Sequence, residues 1–168
     1  VTYGNDVGSH VAKCLWSLQT YFKDAIPKAE RGRFLGKVYG HSGGVLKEHP
    51  ELKLEVQTLL QKLENGDAKT VALWKKTRAW SLAGFQAIYK DLGITFDDSY
   101  YESDVKQDGQ KIVDELLERG IARESEGVVI VDLTDPGSDV LVIRKSDGTG
   151  LYATSELGLA RAKNAKEW

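Results

Sequence analysis

Residues 121–133 read "IARESEGVVIVDL", and within them the hydrophobic period changes from that of a helix to that of a strand. Two short extended runs flank Glu126-Gly127, a pair suited to a tight hairpin turn. "DVLVIRK" (139–145) is a third run, and "GLYA" (150–153) continues as a fourth extended piece. "SELGLARAKNAKEW" (155–168) then opens a final helix. Upstream of 121 the pattern is helical. Val11, Leu15, Trp16 and Phe22 are helically spaced, so a helix begins near Ser9, with Asp6 or Ser9 as its cap. Pro27 breaks the chain, a short helix follows across Arg33–Tyr39, and "GHSGG" (40–44) reads as a loop.

"HPELKLEVQTLLQKLENG" (49–66) is the plainest helix. Pro50 suits its first position, Leu52, Val56, Leu59, Leu60 and Leu63 share a face, and Asn65-Gly66 ends it. Asp67 can cap the next helix, which carries Val71, Trp74, Phe85, Ile88 and Leu92 before Gly93. Together they read as an antiparallel helical hairpin. A further helix spans about Gln107 to Arg119 and is closed by Gly120. The fold class is therefore α/β, mostly helix, with a small mixed or antiparallel sheet after residue 120.

Composition narrows the function. The chain has 168 residues, 41% hydrophobic and 29% charged, which suits a soluble globular protein with a real core. A net charge of −2 gives no general grip on polyanions. No apolar run approaches the roughly 20 residues of a membrane span, and no signal peptide opens the chain. The single cysteine, Cys14, excludes an internal disulfide and fits a reducing compartment; beside Leu15 and Trp16 it reads as a small buried hydrophobe. The chain has no methionine, and it is expected to be a piece of a longer protein.

Motifs of common chemistry are missing. No phosphate loop, no G-x-G-x-x-G, no G-x-S-x-G elbow and no metal-ligand spacing occurs, and His10, His41 and His49 are scattered. Tyr152 and Glu156 are different: four residues apart on a helix, they share a face. A ring, a hydroxyl and a carboxylate suit a planar, donor-rich cation. The plain alternative makes Glu156 a first-turn acid favoured by the helix dipole, with Tyr152 in the core. "FDDSYYESDV" (96–105) gathers Asp97, Asp98, Glu102 and Asp104, either as a site or as a solvated loop between helices. In "TYGNDVGSH" (2–10), Tyr3, Asn5, Asp6 and His10 either line a pocket or form a helix cap.

Three segments in order resemble the catalytic domain of the arginyl-tRNA synthetases, class I enzymes. "KSDGTGLYATSELGLA" (145–160) is similar to that family's D-G-T-x-x-Y-x-T-R-D-x-A, and "TYGNDVGSHVAKCLW" (2–16) to its N-Y-x-x-D-x-G-x-Q/H. "ALWKKTRAWSLAGFQAIYKDLGITFDDSYYESDV" (72–105) resembles the helix leading to F-D-x-x-x-x-E-S. The resemblance implies that Tyr152 contacts bound L-arginine and that Glu156 and Glu102 pinch its guanidinium. Thr2, at the position of an asparagine that reaches the amino acid's head group, and His10 complete the implied arginine-binding set. The sequence departs from the pattern at Thr2, at Ser155 in place of arginine, and at Glu156 in place of aspartate.

The resemblance further implies a Rossmann-like catalytic domain interrupted by a helical insertion, about residues 24–106, with 107–168 returning to the α/β core. The parent protein would charge tRNA(Arg) through an arginyl-adenylate, using ATP and Mg2+. The H-I-G-H and K-M-S-K-S motifs implied for ATP lie outside this chain, so the piece alone is expected to bind no cofactor and to be inactive, with no catalytic residue and no metal of its own. A monomer in the cytoplasm, off the membrane and touching tRNA mainly through other domains, is expected. Two other readings stand beside it. One is a non-catalytic module docking a protein partner through Trp74, Trp80, Phe85 and Tyr89, most of which helical spacing would place in the core. The other is a degenerate homologue that binds free arginine.

Overall fold

The computed structural model describes residues 1–133, 140–146, 148 and 150–165. Its elements run β1 (Thr2–Gly4), α1 (Ser9–Tyr21), α2 (Arg31–Glu48), a single 3-10 turn (Pro50–Leu52), α3 (Lys53–Glu64), α4 (Ala68–Asp91), β2 (Ser99–Tyr101), α5 (Glu102–Glu118), β3 (Ala122–Ser125), β4 (Val128–Asp132), β5 (Val140–Arg144) and α6 (Tyr152–Asn164). The architecture is mostly helical with small sheets. It divides into two compact units, residues 6–97 and residues 1–5 with 98–168. No helix among the described residues is long and apolar enough to cross a membrane.

Unit 6–97 is all helix. Ala12, Trp16, Leu46 and Val56 form one buried cluster, and Leu18, Leu35 and Val38 another, with Phe22, Phe34, Leu73 and Trp80 packed against it. The expected loop at "GHSGG" is helix instead, since α2 runs unbroken from Arg31 to Glu48. Leu35, Val38, Ser42 and Leu46 are its buried positions, at helical spacing. Burying that stripe outweighs the roughly 0.5–1 kcal/mol that each helical glycine costs. The expected caps of α1 are also replaced: Gly8 is its N-cap, with no side-chain bond. Asp6 is committed elsewhere, its carboxylate 2.5 Å from Arg78 Nε and its carbonyl accepting from Trp74 Nε1 at 2.7 Å. Asp67 does cap α4, accepting the Thr70 N–H at 2.9 Å. Burial pushes the Cys14 thiol up to about 11, and its Sγ reaches the Leu35 carbonyl at 3.7 Å, so it is held as an unreactive thiol.

The other unit carries two sheets. β1 and β2 pair in parallel, Thr2 opposite Ser99 and Gly4 opposite Tyr101, a sheet that the late-sheet reading of the sequence does not contain. Antiparallel β3-β4-β5 follows, in that order. The hairpin between β3 and β4 turns on Glu126 (φ 50°) and Gly127 (φ 79°), the two positive φ values that a two-residue turn of this hand needs. The fourth extended piece shrinks to a bridge between Arg144 and Gly150, because the helix already begins at Tyr152. Val113, Ala122, Val129 and Ile143 form the core under this sheet, with Leu116, Leu117, Ala153 and Leu157 packed around them.

Candidate functional site

The acidic stretch 96–105 is not a loop throughout: β2 passes directly into α5, and Glu102 is the first helical residue. Its carboxylate therefore stands at a helix N-terminus, where the backbone dipole favours negative charge. Tyr152 likewise opens α6. There Thr154 fixes the entry, its hydroxyl accepting the Leu151 N–H at 2.9 Å while donating to the carbonyl of Ile143. One strand-to-helix junction and one bridge-to-helix junction thus present the two segments that the sequence singles out.

α5 and α6 pack in close contact through glycine. A Cβ on Gly109 would lie 2.0 Å from the Thr154 carbonyl oxygen, and one on Gly158 would lie 2.2 Å from that of Val105. Contact this close brings the first turn of α6 to the start of α5. Ser155 Oγ stands 3.1 Å from Glu102 Oε1 and donates to it. The Tyr152 phenol is raised above its usual range, first by hydrogen bonding toward the neighbouring Glu156 and by its charge, then by partial desolvation and by the charge of Glu102. Tyr152, Glu156, Ser155 and Glu102 therefore form one cluster: two carboxylates flanking a phenol.

The plain alternative for this pair fails on two points. Tyr152 is 62% exposed, not in the core, and Glu156 lies beyond the first turn of α6, which has no acidic residue. Glu156 is half-buried and lies beside the Tyr152 phenol rather than at the helix N-terminus. Thr2 sits on β1 in the same unit, opposite Ser99, three residues before Glu102 on the neighbouring strand. His10 belongs to unit 6–97, in the first turn of α1, with its ring against Gly8: a Cβ there would meet His10 Cε1 at 3.7 Å. Ser155 is the member of the cluster that sequence reasoning did not place in the site. Its only signal is that it occupies a motif position where the resembling family has arginine.

Chemically, the cluster is an acceptor-rich wall with an exposed aromatic face. Such a wall can accept hydrogen bonds and attract positive charge. Among the described residues no group of three histidine, cysteine or acidic side chains is arranged to hold a metal ion.

The aromatics of α4 divide. Trp74 and Trp80 are half-buried; the Trp80 ring lies 5.1 Å from the Arg31 guanidinium carbon and 5.4 Å from Lys76 Nζ. Phe85, expected in the core, is 51% exposed, and Ile88 and Leu92 are exposed beside it.

The chain is 33% identical to an arginine–tRNA ligase of Bdellovibrio bacteriovorus, covering 96% of this chain and 29% of that protein. An arginine–tRNA ligase of Treponema denticola is 34% identical, covering 98% of this chain and 29% of the relative. This chain thus spans less than a third of their length. The fold is similar to that of the Plasmodium falciparum arginyl-tRNA synthetase, with a TM-score of 0.72 at 18% identity over 96% of this chain and 27% of the other. The Thermus thermophilus arginyl-tRNA synthetase gives 0.67 at 22% identity, over 94% of this chain and 28% of that one. A family model described as tRNA synthetases class I (R), catalytic domain, matches residues 2–167, and the chain belongs to that family.

Proposed function

We propose that this chain supplies the arginine-binding wall of an arginine–tRNA ligase, the enzyme that forms arginyl-adenylate from ATP and L-arginine and charges tRNA(Arg). One observation carries the reading: Ser155, in the first turns of α6 between Tyr152 and Glu156, reaches Glu102 Oε1 at 3.1 Å, so both carboxylates belong to one wall beside the Tyr152 phenol that they raise. A guanidinium has five fixed donors and keeps its proton, so two carboxylates satisfy it and it satisfies them. A neutral ligand leaves buried charge unpaired, at a cost on the order of 3–5 kcal/mol where desolvation is complete. An ammonium brings the charge without the planar fork. Thr2 and His10 are carried over by motif position, as contacts to the rest of the amino acid.

ATP and Mg2+ belong to the whole enzyme in this reading. The chain contains neither H-I-G-H nor K-M-S-K-S, and no step is assigned here to a nucleotide or a metal. The helical insertion, about 24–106, overlaps unit 6–97. The whole enzyme is taken as a cytoplasmic monomer that meets tRNA mainly through other domains.

Calorimetric titration with L-arginine, L-lysine and L-citrulline tests the reading. Arginine binds selectively, and Glu156→Gln abolishes that selectivity; equal uptake of all three, or none, removes the assignment. A second reading, a module that docks a protein partner, is favoured by the exposed Phe85 and Ile88 on α4 and Leu92 at its C-cap. It requires no arginine binding, so the same titration separates the two.

A further inference from the structure

We propose that Ser155 is a positioning residue for Glu102 and thereby sets how well the wall discriminates a guanidinium from its neutral isostere. The inference rests on the reading of Glu102 and Glu156 as an arginine-binding wall.

Ser155 is 2% exposed, yet its hydroxyl reaches a carboxylate, donating to Glu102 Oε1 at 3.1 Å. Its backbone has little freedom. α6 lies against α5 so closely that a Cβ on Gly109 would meet the Thr154 carbonyl oxygen at 2.0 Å and the Ser155 nitrogen at 3.5 Å. Two packed helices thus set the position of one hydroxyl, and that hydroxyl selects one orientation of a side chain that otherwise has three rotatable bonds. Among the described residues the bond to Glu102 falls on one oxygen, Oε1, so the second oxygen can accept from a ligand.

The chemical identity of the donor matters as much as its place. A serine hydroxyl is neutral, so Glu102 is oriented without its charge being cancelled. The motif that this segment resembles has arginine at the same position. Glu156, which stands where that motif has aspartate, lies beside the Tyr152 phenol and raises it.

The test is calorimetric titration of the 168-residue chain with L-arginine and L-citrulline, comparing the unsubstituted protein with Ser155→Ala and Glu102→Gln. Melting is recorded without ligand. Loss of a hydrogen bond to a charged group corresponds to about tenfold in affinity. Ser155→Ala should therefore weaken arginine about tenfold, leave citrulline unchanged and leave the melting temperature within about 2 °C. If Glu102→Gln loses arginine while Ser155→Ala keeps it, the positioning role is overturned and the wall stands. An equal loss for both ligands with a lowered melting temperature would make Ser155 merely structural. Absence of arginine binding in the unsubstituted chain, or indifference to Glu102→Gln, overturns the wall and this inference together.

Discussion

Gly158 occupies the final position of the segment "DGTGLYATSELG", and at that residue the packing admits only hydrogen. A methyl group would lie 2.2 Å from the Val105 carbonyl oxygen and 2.9 Å from the Gly109 nitrogen, both backbone atoms that cannot swing aside. Gly158→Ala is expected to cost about 1–3 kcal/mol by forcing α5 and α6 apart, and to loosen the Ser155–Glu102 contact with it. Chemical denaturation checks the first effect and arginine titration the second; an unchanged midpoint would show that the two helices can separate freely. Asp67 makes the opposite kind of contribution, at the surface. Side-chain and backbone hydrogen bonds from Thr70 hold its carboxyl below the ordinary value of 3.8. A depressed folded-state value means that the cap stabilises fully above the ordinary carboxylate range and loses this as the pH falls through the lowered value. Asp67→Ala should therefore melt a few degrees lower at neutral pH, with the two melting curves converging well below pH 4.

At the scale of elements, the sequence reads best where one signal dominates. α3, α4 and the β3–β4 hairpin announce themselves through Asn65-Gly66, Asp67 and Glu126-Gly127, whose backbone or capping chemistry is local. α2 misleads because its glycines argue locally for a loop, while the deciding term, burial of Leu35, Val38, Ser42 and Leu46, is tertiary. That conflict is testable. Gly43 is exposed in the helix, and a Cβ there would meet nothing within 4 Å. Gly43→Ala should therefore stabilise by about 0.5–1 kcal/mol, measured as a raised midpoint in urea; a lowered midpoint would mean that a loop, not a helix, is populated there. β1, β2 and the start of α5 are hidden for another reason. Strands of three residues carry no readable period, and their pairing joins residues nearly a hundred positions apart. Glu102 consequently moves from an expected loop to a helix N-terminus.

Across the whole molecule, the candidate site was legible as residue types but not as an arrangement. Tyr152 and Glu156 declare their shared face through a spacing of four, whereas Glu102 joins them only because glycines let two helices touch. Ser155 enters only once that contact exists. The cluster belongs to one of the two compact units, residues 1–5 and 98–168, and this sets where a ligand should leave its mark. Hydrogen exchange with and without saturating L-arginine should slow at the amides of Glu102–Val105 and Tyr152–Leu157, with α3 unchanged. Melting should rise in step: at a hundredfold excess over the dissociation constant, binding contributes about 2.7 kcal/mol, on the order of 5–10 °C for a chain of this size. L-Lysine at the same concentration should raise it far less, and Glu102→Gln with Glu156→Gln should remove the response to arginine. Equal shifts with lysine would reduce the cluster to a general cation site, because a planar fork of donors can pair with two carboxylates at once, whereas an ammonium is a compact point charge.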